Sequence, residues 1–128
     1  MSYYISNKIA ASTFDEAIEK TTAALKEQGF GVLTTIDMKA TLKAKIDKDI
    51  EPYTILGACN PKFASQALDA ENNIGVFLPC NVVVKQTKNG FEAVSVDPVA
   101  SMIAVENKNL HTFAKEVRGM LGNALSTL

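Results

Sequence analysis

The sequence predicts an α+β fold: one two-layer domain, a mainly antiparallel sheet with helices packed on one face. Three observations predict it. Helix and strand periodicities alternate through the first half of the chain. Asn89-Gly90 stands between two apolar runs, the strongest short signal of a β-hairpin. The last stretch carries a single long helical stripe.

Taken in order, Tyr3 to Ile9 alternates loosely and fits an opening strand. A helix follows, with Ser12 and Thr13 as N-cap candidates and Asp15 and Glu16 in capping-box register behind them. Phe14, Ala17, Ile18, Thr21 and Leu25 then share one helical face, and Gly29 supplies the left-handed residue that ends it. Phe30, Val32, Thr34 and Ile36 share one side of a second strand. Met38, Leu42 and Ile46 recur every four residues, which predicts a short amphipathic helix whose wet face is Lys39, Lys43, Lys45 and Lys48. Glu51-Pro52 ends it, and Tyr53 to Ala58 reads as a buried strand.

Asn60-Pro61 is an N-cap followed by proline at the first helical position, and Phe63, Ala64, Ala67 and Leu68 form the apolar face of that helix. Ile74 to Leu78 and Cys80 to Thr87 are expected as strands, with Pro79 limiting ladder donation between them. A type I′ turn at Asn89-Gly90 would join Val82–Lys88 to Phe91–Asp97, and Asp97-Pro98 ends that strand and caps a turn. The last helix begins near Asn107 or Asn109. Its stripe is Leu110, Phe113, Ala114, Val117, Leu121, Ala124, Leu125 and Leu128. The expected order is β-α-β-α-β-α-β-β-β-α over residues 1–128, with no linker and no repeat.

Composition narrows the functions. The chain has 128 residues, enough for a self-sufficient core, and it is 47% hydrophobic and 21% charged, as globular domains are. Net charge is −1, and Arg118 is the only arginine among 13 basic residues, so bidentate readout of bases or phosphates has little to work with. No nucleic-acid partner is expected. No apolar stretch is long enough to cross a bilayer, and the start lacks the basic and apolar pattern of a signal peptide. No membrane partner is expected either, and two cysteines without a framework read as reduced thiols in a cytoplasmic protein.

Chemistry concentrates in two Cys-Asn segments, Cys59-Asn60 and Cys80-Asn81. Cys59 ends a strand just before a helix, where free amides and the positive dipole end favour a thiolate, and Lys62 adds charge nearby. The same amides suit a carboxylate or phosphate. Gly57 allows close backbone approach. The plainer reading is that Ala58-Cys59 ends a core strand, since cysteine is among the most buried residue types. If the two strand ends meet, Cys80 is the partner for soft-metal binding, a transient disulfide or sulfur transfer. No Cys-x-x-Cys or His-x-x-x-His spacing exists, so no metal and no cofactor are expected. Gly29-Phe30-Gly31 lacks a third glycine and sits at a helix C-terminus, the wrong end for phosphate. His111 reads as a solvated surface residue and Asp97 as a cap.

Five segments together resemble the bacterial and archaeal family catalogued as a domain of unknown function, number 302. They are Phe14-Asp15-Glu16-Ala17, Gly29-Phe30-Gly31-Val32-Leu33, Ile55-Leu56-Gly57-Ala58-Cys59-Asn60-Pro61, Leu78-Pro79-Cys80-Asn81-Val82 and Asp97-Pro98. The resemblance implies an α+β fold and a homodimer or larger homo-oligomer. It implies no settled activity, and it makes Asn60-Pro61 a more general motif than the cysteines.

The leading expectation is a binding or accessory module for a small anionic or sulfur-containing ligand, with Gly57, Cys59, Asn60, Cys80 and Asn81 lining the site. Its rivals are a thiol-dependent enzyme or sulfur carrier, in which Cys59 is the thiolate and Cys80 resolves it, and a purely structural homo-oligomer. The structural reading would use an exposed sheet edge or the apolar last helix.

Overall fold

The computed structural model describes residues 2–128. Five strands form one antiparallel sheet: β1 (Tyr4–Ile9), β2 (Gly31–Asp37), β3 (Tyr53–Cys59), β4 (Cys80–Thr87) and β5 (Gly90–Val96). Their order across the sheet is β1-β5-β4-β3-β2. The helices are α1 (Phe14–Glu27), α2 (Met38–Ile46), α3 (Pro61–Ala70), the single turn α4 (Pro98–Ser101) and α5 (Lys108–Ser126).

The caps explain the boundaries. Thr13 accepts from the Glu16 N–H, and the Glu16 carboxylate accepts from the Ser12 N–H just before the cap, so the entry to α1 is tied in both directions. Glu16 is thereby held below the usual carboxylate range, chiefly by that backbone donor, with Lys20 adding to it. Gly29 follows α1 at φ +87°, the left-handed residue expected there. Asn107 caps α5, whose Leu110, Ala114, Val117, Leu121, Ala124 and Leu125 are all buried.

Strand pleat separates the two faces of the sheet. Leu56 and Ala58 on β3, Val82 and Val84 on β4, and Ala93 on β5 join Ala17, Leu25 and Leu121 in the main core. A second cluster gathers Ala67, Ile74, Met102, Leu110 and Ala114 at the end of the sheet where β3 meets α3.

Three expectations need correction. Residues Ile74 to Leu78 form no strand: Asn72–Phe77 is a 3₁₀ segment. Ile74 drops into the second core and Leu78 packs against it while Val76 stays 80% exposed, so the apolar run anchors this segment rather than joining a ladder. The hairpin loop is Lys88-Asn89, with Thr87 paired to Gly90. A type I′ turn needs positive φ at both loop residues, yet Asp47 is the one described non-glycine residue with positive φ. Gly90, at φ +139°, carries the unusual conformation instead. Finally, α2 forms as expected with its lysines exposed, but none of its residues is buried and Ile46 is 64% exposed. Its N-cap, Asp37, accepts from the Ala40 N–H, so local capping rather than burial defines where it starts.

Candidate functional site

The corner from β3 into α3 is built around Asn60. Its side-chain oxygen accepts from the Phe63 N–H at 3.4 Å, and Pro61 behind it has no N–H to satisfy. The Asn60 amide nitrogen lies 3.1 Å from where a Cβ on Gly29 would stand. Asn60 therefore fastens the exit of α1 to the entry of α3. Gly57 solves a tighter problem one turn of the pleat earlier: a Cβ there would fall 2.1 Å from Thr34 Oγ1 and 2.9 Å from Pro79 Cγ. Only glycine lets Thr34 and Pro79 converge on β3.

Behind the corner is a cavity of about 50 Å³. Ala58 and Cys80 form its floor, Phe63 and Ala67 one wall, and Leu110 and Phe113 the other. Leu78, Pro98 and Met102 are also part of the lining. The lining is almost wholly apolar. The rings of Phe63 and Phe113 meet edge to face at 6.4 Å between centroids.

Both thiols border this cavity, and both are free. Cys80 pairs with Ala58 in the ladder, one residue before Cys59, the last residue of β3. Burial, with a smaller contribution from Cys59 nearby, pushes the Cys80 thiol up to about 11. Cys80 is a protonated, core-like thiol at neutral pH.

A model of the family described as domain of unknown function DUF302 matches residues 6–128. The chain belongs to the DUF302 family. The solved structure of an uncharacterized conserved protein DUF302 from Bacillus stearothermophilus is 26% identical to this chain, with a TM-score of 0.91 over 98% of each chain. No curated protein matches the chain.

In this DUF302 chain, the residues expected to line one site divide between the two faces of the sheet. Cys59, Asn60 and Cys80 do border one cavity. Gly57 and Asn81 are register partners, and both follow the pleat to the opposite face, where Asn81 is exposed. Asn81 therefore cannot share a ligand with the buried Cys80 side chain. Lys62 is exposed beside the corner. His111 is exposed, with its ring nitrogen on the Val105 carbonyl, and Asp97 caps α4 as expected. Among the described residues, no group of three His, Cys, Asp or Glu side chains stands where it could hold a metal ion. No helix among the described residues is long and apolar enough to cross a membrane.

Met102 lines the cavity although no sequence motif marks it, and Phe30, Leu78 and Pro98 carry only strand or turn signals in the sequence. Phe63, Leu110 and Phe113 were visible in the sequence as helix stripes. Nothing in a stripe says which of its members will face a void.

Proposed function

We propose that this DUF302 chain is a binding or accessory module that takes a small apolar group into the cavity beside Asn60-Pro61. One observation carries the reading: the corner singled out by its sequence opens onto an apolar cavity walled by α3 and α5 and floored by β3 and β4. Ligand sites are typically concave and mostly apolar, with a few polar groups at the mouth. Asn60 and the half-buried Cys59 supply those groups here.

The anionic ligand expected from the sequence fits less well. Pro61 has no N–H to offer, and Asn60 already takes the N–H of Phe63. The thiol reading also weakens, because a resolving cysteine must ionise readily and Cys80 is pushed up to about 11.

At about 50 Å³ the space is far smaller than one that admits benzene, roughly 150 Å³. It suits the end of an alkyl chain, and anything larger must part Phe63 from Phe113. Xenon and 1-propanol, titrated into ¹⁵N-labelled protein, test this. Amide shifts should concentrate at Ala58, Phe63, Ala67, Leu110 and Ala114, and an Ala114→Leu change that fills the cavity should abolish them. Shifts scattered over the surface, or unaffected by Ala114→Leu, would sink the proposal.

A further inference from the structure

The second core is made of Ala67, Ile74, Met102, Leu110 and Ala114. Four of these line the cavity, and Ile74 alone does not. Ile74 is 1% exposed, so it fills space that its four neighbours would otherwise share with the cavity. It is carried by the 3₁₀ segment Asn72–Phe77, which straps α3 to β4. Leu78, at the end of the strap, packs against the same core and lines the cavity itself.

The strap is held more loosely than the turn beside it. Among the described residues, no hydrogen bond runs from residues 72–78 to another element: the Ile74 N–H donates to the Glu71 carbonyl and the Leu78 N–H to that of Gly75. Its anchors are the apolar side chains of Ile74 and Leu78, while Val76 faces water. The stretch around α4 is tied three times. Asp97 accepts from Arg118 Nε at 2.9 Å, the His111 ring meets the Val105 carbonyl, and Asn107 donates to the Ala70 carbonyl at 3.1 Å. A segment held by few apolar contacts opens locally at a fraction of the cost of global unfolding.

From this asymmetry we propose that the strap is the gate of the cavity and Ile74 its plug, displaced by an unbranched alkyl chain. The polar head of such a ligand stays beside Cys59 and Asn60. Its chain crosses the cavity, and the far end takes the place that Ile74 vacates among Ala67, Met102, Leu110 and Ala114. One aliphatic group replaces another, so the second core stays filled. A chain suits this path better than a ring, because the closed space of about 50 Å³ is well below the roughly 150 Å³ that admits benzene. The gate presupposes the cavity reading and adds to it the class of ligand and the part that moves.

Hydrogen exchange and ¹⁵N spectra of the full chain, with 1-propanol, 1-hexanol and cyclohexanol as probes, test the gate. Without alcohol, the amides of Ile74 and Leu78 should exchange at least about a hundredfold faster than those of Val117 and Leu121 in α5. 1-Propanol should shift the cavity amides and leave strap exchange unchanged. 1-Hexanol at saturation should also speed exchange at Ile74 and Leu78 by about tenfold. Cyclohexanol, with as many carbons, should bind at least about tenfold more weakly than 1-hexanol. Ile74→Ala weakens the plug, so it should tighten 1-hexanol binding at least about tenfold. Ile74→Val should tighten it about threefold, and it keeps the comparison available if the alanine variant does not fold. If 1-propanol leaves the cavity amides unmoved, the cavity reading falls and the gate with it. With 1-propanol bound, the gate alone is overturned if strap exchange is as slow as that of α5 or is not sped by 1-hexanol. It is overturned equally if cyclohexanol binds as tightly as 1-hexanol, or if neither Ile74 variant binds 1-hexanol more tightly.

Discussion

Two strand-to-helix corners in this molecule use the same short vocabulary and spend it differently. At Asn60-Pro61 and at Asp97-Pro98, an Asn or Asp caps a helix whose first residue is proline. Asn60 holds one N–H, that of Phe63, and turns its neutral amide against Gly29. Asp97 is buried and accepts from the N–H groups of Val99 and Ala100 and from Arg118 Nε, the last at 2.9 Å. The first corner is fixed by shape and the second by charge. Each also meets the cavity, through Asn60 and Pro98.

That contrast predicts unequal losses. Asp97→Ala removes two capping bonds and leaves Arg118 without its buried partner, so it should cost about 3 kcal/mol. Asn60→Ala removes one long capping bond and should cost about 1 kcal/mol. Urea unfolding of both variants decides the matter. Equal costs would mean that charge adds nothing at the Asp97 corner.

Both corners were legible in the sequence because a cap and a proline are local signals. So were the exit of α1 at Gly29 and the stripe of α5. The rest depended on contacts between distant segments. Asn89-Gly90 marked the hairpin, but which residue takes positive φ was settled by the register, Thr87 opposite Gly90. Ile74 to Leu78 has strand composition and becomes a 3₁₀ segment that buries Ile74 in the second core and packs Leu78 against it, while Val76 faces out. The candidate site divided for a simpler reason. Cys80 and Asn81 are adjacent in sequence, and adjacent residues in a strand face opposite ways.

The cavity floor between the corners yields a pH test. The Cys80 thiol is raised from 9.0 to about 11 in the folded protein, mainly by burial. For a raised pKa the stabilisation is intact below the unfolded value and is lost as pH climbs through the folded one. Between about pH 9 and pH 11 the fold should therefore lose roughly 2 kcal/mol that a Cys80→Ala variant does not lose. All other ionisable groups are common to both proteins, so the difference between the two urea curves is the quantity to read. Parallel losses would place Cys80 in contact with solvent, and the cavity floor would not be sealed.

The fit between Asn60 and Gly29 can be separated from the backbone preference at the same position. Gly29→Ala should cost about 1 to 2 kcal/mol, part from φ +87° and part from crowding against the Asn60 amide. Combined with Asn60→Ala, only the backbone part should survive, so the double variant should be more stable than the sum of single losses implies. Strict additivity would show that the two residues do not meet.

The smallest effect isolates the charge at the other corner. Asp97→Asn keeps an oxygen for the Val99 and Ala100 N–H groups and removes only the ion pair with Arg118. The Arg118 side chain is 56% exposed, so water and salt screen much of that attraction. A loss of about 0.5 to 1 kcal/mol is expected, shrinking further as salt is raised. Were Asp97→Asn as damaging as Asp97→Ala, the pairing with Arg118 would outweigh the caps. The Asp97 corner would then be an anchor for α5 first and the start of α4 second.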